Sequence, residues 1–219
     1  MRFSVENLPN KTLEALRDYV WRGFNRLKSI IDEIAFRIEG DFWEDNTAEF
    51  TGGAPGASAP SLTTFRGGPA RQYVFGVGDS VDVVFHIKHD VKPGTSGGIF
   101  HPHVHWTTNG TNAGTLTWRL SYHIAKGHNQ EAFPVASVLD LTDTASGIAW
   151  QHMITESVSG FTTPEVDSLI IVNVELLSAT GFGTPADDIF GLYVDLHYQK
   201  DRLGTPQKAP DFYAGGQSV

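Results

Sequence analysis

Cysteine is absent from this sequence, which removes disulfides, thiolate metal ligands and cysteine nucleophiles at once. Stability must come from packing and from assembly with other chains. Basic residues are scarce too: 16 Lys and Arg face 25 Asp and Glu, for a formal net charge of −9. Phosphate backbones attract the opposite surplus, so no nucleic-acid partner is expected. No stretch approaches the ~18 apolar residues of a membrane span, so no membrane partner is expected either. The longest apolar run, Leu169-Ile170-Ile171-Val172, reads as a buried strand. The opening Met1-Arg2-Phe3-Ser4-Val5-Glu6 turns polar at once, without the apolar core of a signal peptide. The expectation is a soluble chain that folds in a cytoplasm.

Catalytic signatures are also missing. There is no Gly-x-Ser-x-Gly elbow, no phosphate-binding P-loop, no Gly-x-Gly-x-x-Gly leading into a helix and no His-Glu-x-x-His. Carboxylates are plentiful, but no pair stands out as an acid and base. The segments Asp140-Leu141-Thr142-Asp143 and Pro185-Ala186-Asp187-Asp188 read as acidic loops, candidates for calcium at most. The chain is therefore read as a non-enzyme.

What is present begins with one long helix over residues 10–39. Its apolar residues Leu13, Leu16, Val20, Phe24, Leu27, Ile31, Ile34 and Ile38 recur at steps of three and four, a heptad-like seam. Asn10 fits an N-cap and Gly40 a helix stop. At 1.5 Å per residue the helix spans roughly 45 Å. The seam serves either to cover the chain's own core or to bind copies and partners. Residues 1–44 form this helical region, for oligomerisation or anchoring. Residues 45–70, rich in Gly, Ala, Ser and Pro, read as an extended arm. Such an arm frees the helix from packing on its own body.

From residue 71 to 200 the pattern is β. Val81, Val83, Phe85 and Ile87 alternate with mostly polar neighbours, as do Leu116, Trp118, Leu120, Tyr122 and Ile124. Further strands are expected over residues 148–154, 168–177 and 189–198, with Gly- and Pro-rich turns between them. Seven or eight strands without helical text argue for a mainly β fold, an antiparallel β-sandwich or jelly roll. Residues 201–219 read as a polar tail. The aromatics Trp106, Trp118, Tyr122, Trp150, Tyr193 and Tyr198 are assigned to core packing.

Phe100-His101-Pro102-His103-Val104-His105-Trp106 is the most informative string. On a strand, His101, His103 and His105 project from one face at ~7 Å intervals, while Phe100, Val104 and Trp106 project from the other. Imidazole is a common ligand for transition metals, so His101, His103 and His105 are candidate metal ligands. Asp195 or His197, on one face of the last strand with Tyr193, would complete a site within one chain. In a trimer the same histidines would instead meet at the axis. The third reading is a polar sheet face hydrogen-bonded across strands. A cupin-like site would want a Glu after His105, where Trp106-Thr107-Thr108-Asn109-Gly110 stands.

Pro102-His103-Val104-His105-Trp106, Leu116-Thr117-Trp118-Arg119-Leu120-Ser121-Tyr122 and Val194-Asp195-Leu196-His197-Tyr198 together resemble a group of small jelly-roll virion structural proteins of tailed bacteriophages. The resemblance spans roughly residues 70–200. It implies a β-sandwich that assembles into the particle as a homotrimer with other capsid or tail proteins, without enzymatic activity. Localisation would be the virion, assembled in the host cytoplasm. Two other function classes stay open: a module at a fibre tip that binds host-surface glycan, and a metal-dependent cupin-like enzyme.

Overall fold

The computed structural model describes residues 10–39, 42–91, 98–127, 132–163 and 166–200. The tail 201–219 and Gly40 lie outside the described residues. The chain divides into two compact units, one ending at Asp41 and the other beginning at Phe42.

The first unit contains the helix α1 (Asn10–Glu39), matching the span expected from the seam. Seam residues Leu13, Leu16, Val20, Phe24, Leu27, Ile31 and Ile34 are all exposed, from 39% at Leu13 to 63% at Phe24. Ile38 belongs to the helix, but its side chain lies outside the described residues. Lys28 and Asp32 pair at 2.7 Å one turn apart. An exposed pair of this kind adds only a few tenths of a kcal/mol. A helix of this length gains most of its stability from covering its apolar strip.

The second unit is an antiparallel β-sandwich. Its strands are β1 (Phe42–Glu49), β2 (Ala54–Pro55), β3 (Ser61–Thr64), β4 (Arg71–Phe75), β5 (Ser80–His86), β6 (Ile99–Thr108), β7 (Thr115–Ala125), β8 (Ser137–Thr144), β9 (Met153–Glu156), β10 (Phe161–Thr162), β11 (Leu169–Thr180) and β12 (Ile189–Lys200). One sheet runs β10-β6-β12-β4-β3, with β1 also on β12 and β9 also on β6; the other runs β2-β5-β11-β7-β8. The alternation of β5, β7, β11 and β12 sends one face of each strand inward. Val81, Val83, Phe85, Leu116, Trp118, Leu120, Ile170, Val172 and Val174 meet Phe75, Phe100, Val104, Trp106, Leu196 and Tyr198 in one core. Gly191 of β12 is required there, since a Cβ would stand 2.5 Å from the Phe75 ring and 2.9 Å from the Phe50 ring.

Several elements differ from the sequence reading. Residues 45–70, read as an arm, carry most of β1 together with β2 and β3. β1 pairs along its whole length with β12, from Phe42 opposite Lys200 to Glu49 opposite Tyr193. Its FWEDNTAE text hides a strand because its large apolar residues, Phe42 and Trp43, sit at one end, and it is exposed at every second residue. Asp140–Asp143, read as an acidic loop, lies inside β8. Arg119 donates to Asp140 through Nε and Nη2, both at 2.8 Å, and Asp143 accepts from Thr155 Oγ1 at 3.0 Å. The guanidinium hydrogen bond holds the Asp140 carboxyl below the usual carboxylate range. Asp187 and Asp188 likewise accept from Asn112 and Asn109. Residues 148–152 form a turn rather than the start of a strand, and only β9 is extended there.

Candidate functional site

Within the sandwich, the two outward sheet faces differ in chemistry. On the five-stranded sheet the outward side chains are ordinary cross-strand pairs, such as Arg119 with Asp140 and Thr117 with Thr142 at 3.0 Å. The seven-stranded sheet gathers several imidazoles around one buried carboxylate, Asp195. Alternation along β6 turns Phe100, Val104 and Trp106 into the core, which leaves His101, His103 and His105 on the outside. Pro102 fits this central strand because it falls between β9, paired to His103–Trp106, and β10, paired to Ile99 and Phe100.

Register then supplies partners from β12. Tyr193 lies opposite His105, Asp195 opposite His103, and His197 opposite His101. His105 Nε2 donates to Asp195 Oδ2 at 2.9 Å. His103 Nδ1 lies 3.3 Å from Asp195 Oδ1, yet that oxygen has no hydrogen-bond partner, and neither has His103 Nε2. The side chains of Asp195, His105 and His103 are only 4%, 6% and 13% exposed. One ligand atom from each residue falls within 4.8 Å of the others.

The surrounding side chains explain how an outward face stays so dry. The Tyr193 ring stacks on His105 at 3.9 Å, and the His197 ring on His103 at 5.0 Å. Trp43 of β1 continues the stack on His197 at 4.6 Å, with the two ring planes nearly parallel. Asp45 accepts from His197 Nδ1 at 2.5 Å. On the other flank Glu156 of β9 faces His103 at 3.6 Å. His152 Nε2 meets His105 Nδ1 at 2.8 Å. His152 is delivered by the turn before β9, where Trp150 adopts a left-handed φ of 64°. The Trp150 ring is held edge-on by Phe65 and tilted against Phe190, and the Trp150 backbone N–H donates to Thr108 O at 2.7 Å. Burial, followed by the charge of His105, lowers the His152 pKa. Burial, followed by Asp195 and Asp45, raises that of Tyr193.

Two of the three histidines expected as metal ligands are thus brought together, and the third is not. His101 Nδ1 donates to Ser157 O at 2.9 Å and stays outside the cluster; Asp195 takes its place. His197 is engaged by Asp45 rather than by the trio. The histidine face points away from the space between the sheets, so these residues do not form the interior site of a cupin-like barrel. Tyr193, assigned to the core, lies on this outer face, whereas Trp106, Trp118 and Tyr198 are fully buried. Trp43 and His152 carried no signal in the sequence, because each is placed by a pairing or a turn far along the chain.

No protein-family model matches this sequence, and no curated protein matches it. Among solved structures, the chain is similar to the CBM36-1 domain of a multidomain xylanase from the hindgut metagenome of Trinervitermes trinervoides. The superposition covers 70% of this chain and 96% of that one, at 12% identity and a TM-score of 0.33.

Proposed function

We propose that this chain is a structural assembly protein of a bacteriophage virion, a capsid decoration, head-fibre or tail-associated component that oligomerises through α1 and presents the sandwich as its body. The observation that carries the reading is the uncovered seam. Seven apolar seam residues of α1, from Leu13 to Ile34, are exposed, and Tyr19 and Ile30 widen the strip on one side. A strip wider than two positions per heptad fits a helix that touches more than one neighbour, as in a trimer. The virion assignment rests on the resemblance carried by Pro102–Trp106 and the strands around residues 116–122 and 194–198. No catalytic step is assigned to the body.

Light scattering on the full chain tests the reading. The wild type is expected at three chain masses, and the double variant Phe24→Asp, Ile31→Asp at one. The variant's melting transition should match the wild type's, since those side chains contribute nothing to the sandwich core. The wild type should also band with purified particles while the variant stays in the soluble fraction. A monomeric wild type would sink the proposal.

A second reading is favoured by one specific feature. Trp43 is 48% exposed and lies flat against His197, beside Asp45 on the outer face of the seven-stranded sheet. A flat, half-exposed indole next to carboxylate acceptors is the arrangement that stacks a sugar ring and holds its hydroxyls. On this reading the module binds a host-surface glycan. A glycan array should then show hits that Trp43→Ala abolishes; a blank array for the wild type removes the reading.

A further inference from the structure

We propose that His103, His105 and Asp195 form a binding site for one divalent transition-metal ion per chain. The site lies on the outer face of the seven-stranded sheet and is distinct from the helix that carries the assembly reading. Two imidazole nitrogens and a carboxylate oxygen are a donor set suited to zinc and its first-row neighbours. The trio is built across the central β6–β12 pair, so its ligand atoms are set by two long, bonded strands and not by loops.

The decisive observation is what the trio lacks. Asp195 Oδ1 is buried without a hydrogen-bond partner. A buried carboxylate oxygen left unpaired has lost its hydration without compensation, so a native structure that keeps one needs a reason. Hydrogen bonding across the sheet does not supply it. His103 Nδ1 stands 3.3 Å from Asp195 Oδ1 without forming a hydrogen bond. Two ligands of one tetrahedral ion with bonds of about 2.05 Å are themselves about 3.3 Å apart, since both point at the ion and not at each other. His105 Nε2, at 2.9 Å from Asp195 Oδ2, would exchange that hydrogen bond for a bond to the ion.

Beyond the three ligands, the site has its orienting shell. A ligating imidazole is held by a hydrogen bond from its other ring nitrogen. His105 Nδ1 has that partner in His152 Nε2 at 2.8 Å. With the ion on Nε2, the remaining His105 proton sits on Nδ1 and donates to His152. The Tyr193 ring at 3.9 Å fixes the plane of the His105 imidazole. His152 is therefore a positioning residue and not a ligand.

Zinc chloride alone is the probe. The full chain, equilibrated with zinc at neutral pH and passed through a desalting column, is expected to retain one zinc per chain by elemental analysis. Calorimetric titration should show His103→Ala weakened by at least a hundredfold and His152→Ala by about tenfold, with His101→Ala unchanged. Asp195→Asn should also lose the ion; should that variant fold poorly, His103→Ala, at the more exposed member, still decides. Failure to retain zinc, one zinc per three chains, or equal binding by His103→Ala would each overturn the proposal. None of these outcomes depends on whether the helix oligomerises.

Discussion

Replacing Trp118 by Ala is expected to destabilise the sandwich by about 3–5 kcal/mol, the range for a fully buried Trp truncated in a core. Trp118 of β7 is completely buried and reaches across to the opposite sheet. There the Phe75 ring meets it edge-on at 5.1 Å, and the Phe50 ring lies tilted at 6.4 Å. Those rings are themselves packed on Gly191, so they have little room to collapse into the void. A marginally stable domain of this size holds roughly 5–15 kcal/mol in total, so the loss is a large share. A chemical detail sharpens the test. Trp118 Nε1 has no hydrogen-bond partner, whereas Trp106 Nε1 donates to Thr155 Oγ1 at 2.8 Å, which in turn donates to Asp143. Trp118→Phe removes an unpaired buried N–H along with some volume, and Trp106→Phe breaks a chain that ties the two sheets together. Urea unfolding followed by circular dichroism should therefore rank Trp118→Ala worst and Trp106→Phe below Trp118→Phe in stability. Equal costs for the two Phe variants would show that the hydrogen-bond chain contributes nothing.

Stability is also expected to fall steeply in alkali, through Tyr198. Its side chain is fully buried between the sheets, and its hydroxyl donates to Asp90 Oδ1 at 2.9 Å. Burial first, then the hydrogen bond and charge of Asp90, push its pKa far above the ordinary tyrosine value. Unfolded tyrosine titrates near pH 10, so above that point the unfolded state gives up a proton that the folded state keeps. The unfolded state then binds fewer protons, and stability declines with rising pH by up to about 1.4 kcal/mol per unit. Below pH 10 the group has no such effect. Tyr198→Phe loses the hydrogen bond, a cost of about 0.5–1.5 kcal/mol at neutral pH, but it also loses this alkaline dependence. Urea midpoints measured from pH 8 to about 11.5 should converge and then cross near the alkaline end. Parallel profiles would mean that the Tyr198 hydroxyl ionises as freely in the folded chain as in the unfolded one.

Much of this architecture can be read from local text. The seam from Leu13 to Ile34 marks α1, and the alternation in β5, β7 and β12 marks both the strands and their inward faces. These follow from covalent geometry alone: 3.6 residues per helical turn and two per strand repeat dictate which side chains share a face. The same logic placed His101, His103 and His105 together, opposite Phe100, Val104 and Trp106. Less legible were β1 and β8, whose polar text resembles loops. Each is a strand because a neighbour, β12 or β7, offers it a ladder of backbone partners.

The composition of the site belongs to the tertiary structure. No local rule says that Asp195, ninety positions beyond His105, will replace His101 beside the other two histidines. That outcome depends on the register of β6 against β12 and on the irregularity between Gly191 and Tyr193 that sets it. A slip of one residue would turn Asp195 into the core and bring Val194 or Leu196 outward. His152 and Trp43 arrive by equally non-local routes, one through a turn held by aromatic rings and the other through the pairing of β1 with the final strand. Side-chain direction is a property of a few consecutive residues, and the sequence carries it. Which side chains meet depends on pairing between distant segments, and only the folded sandwich decides that.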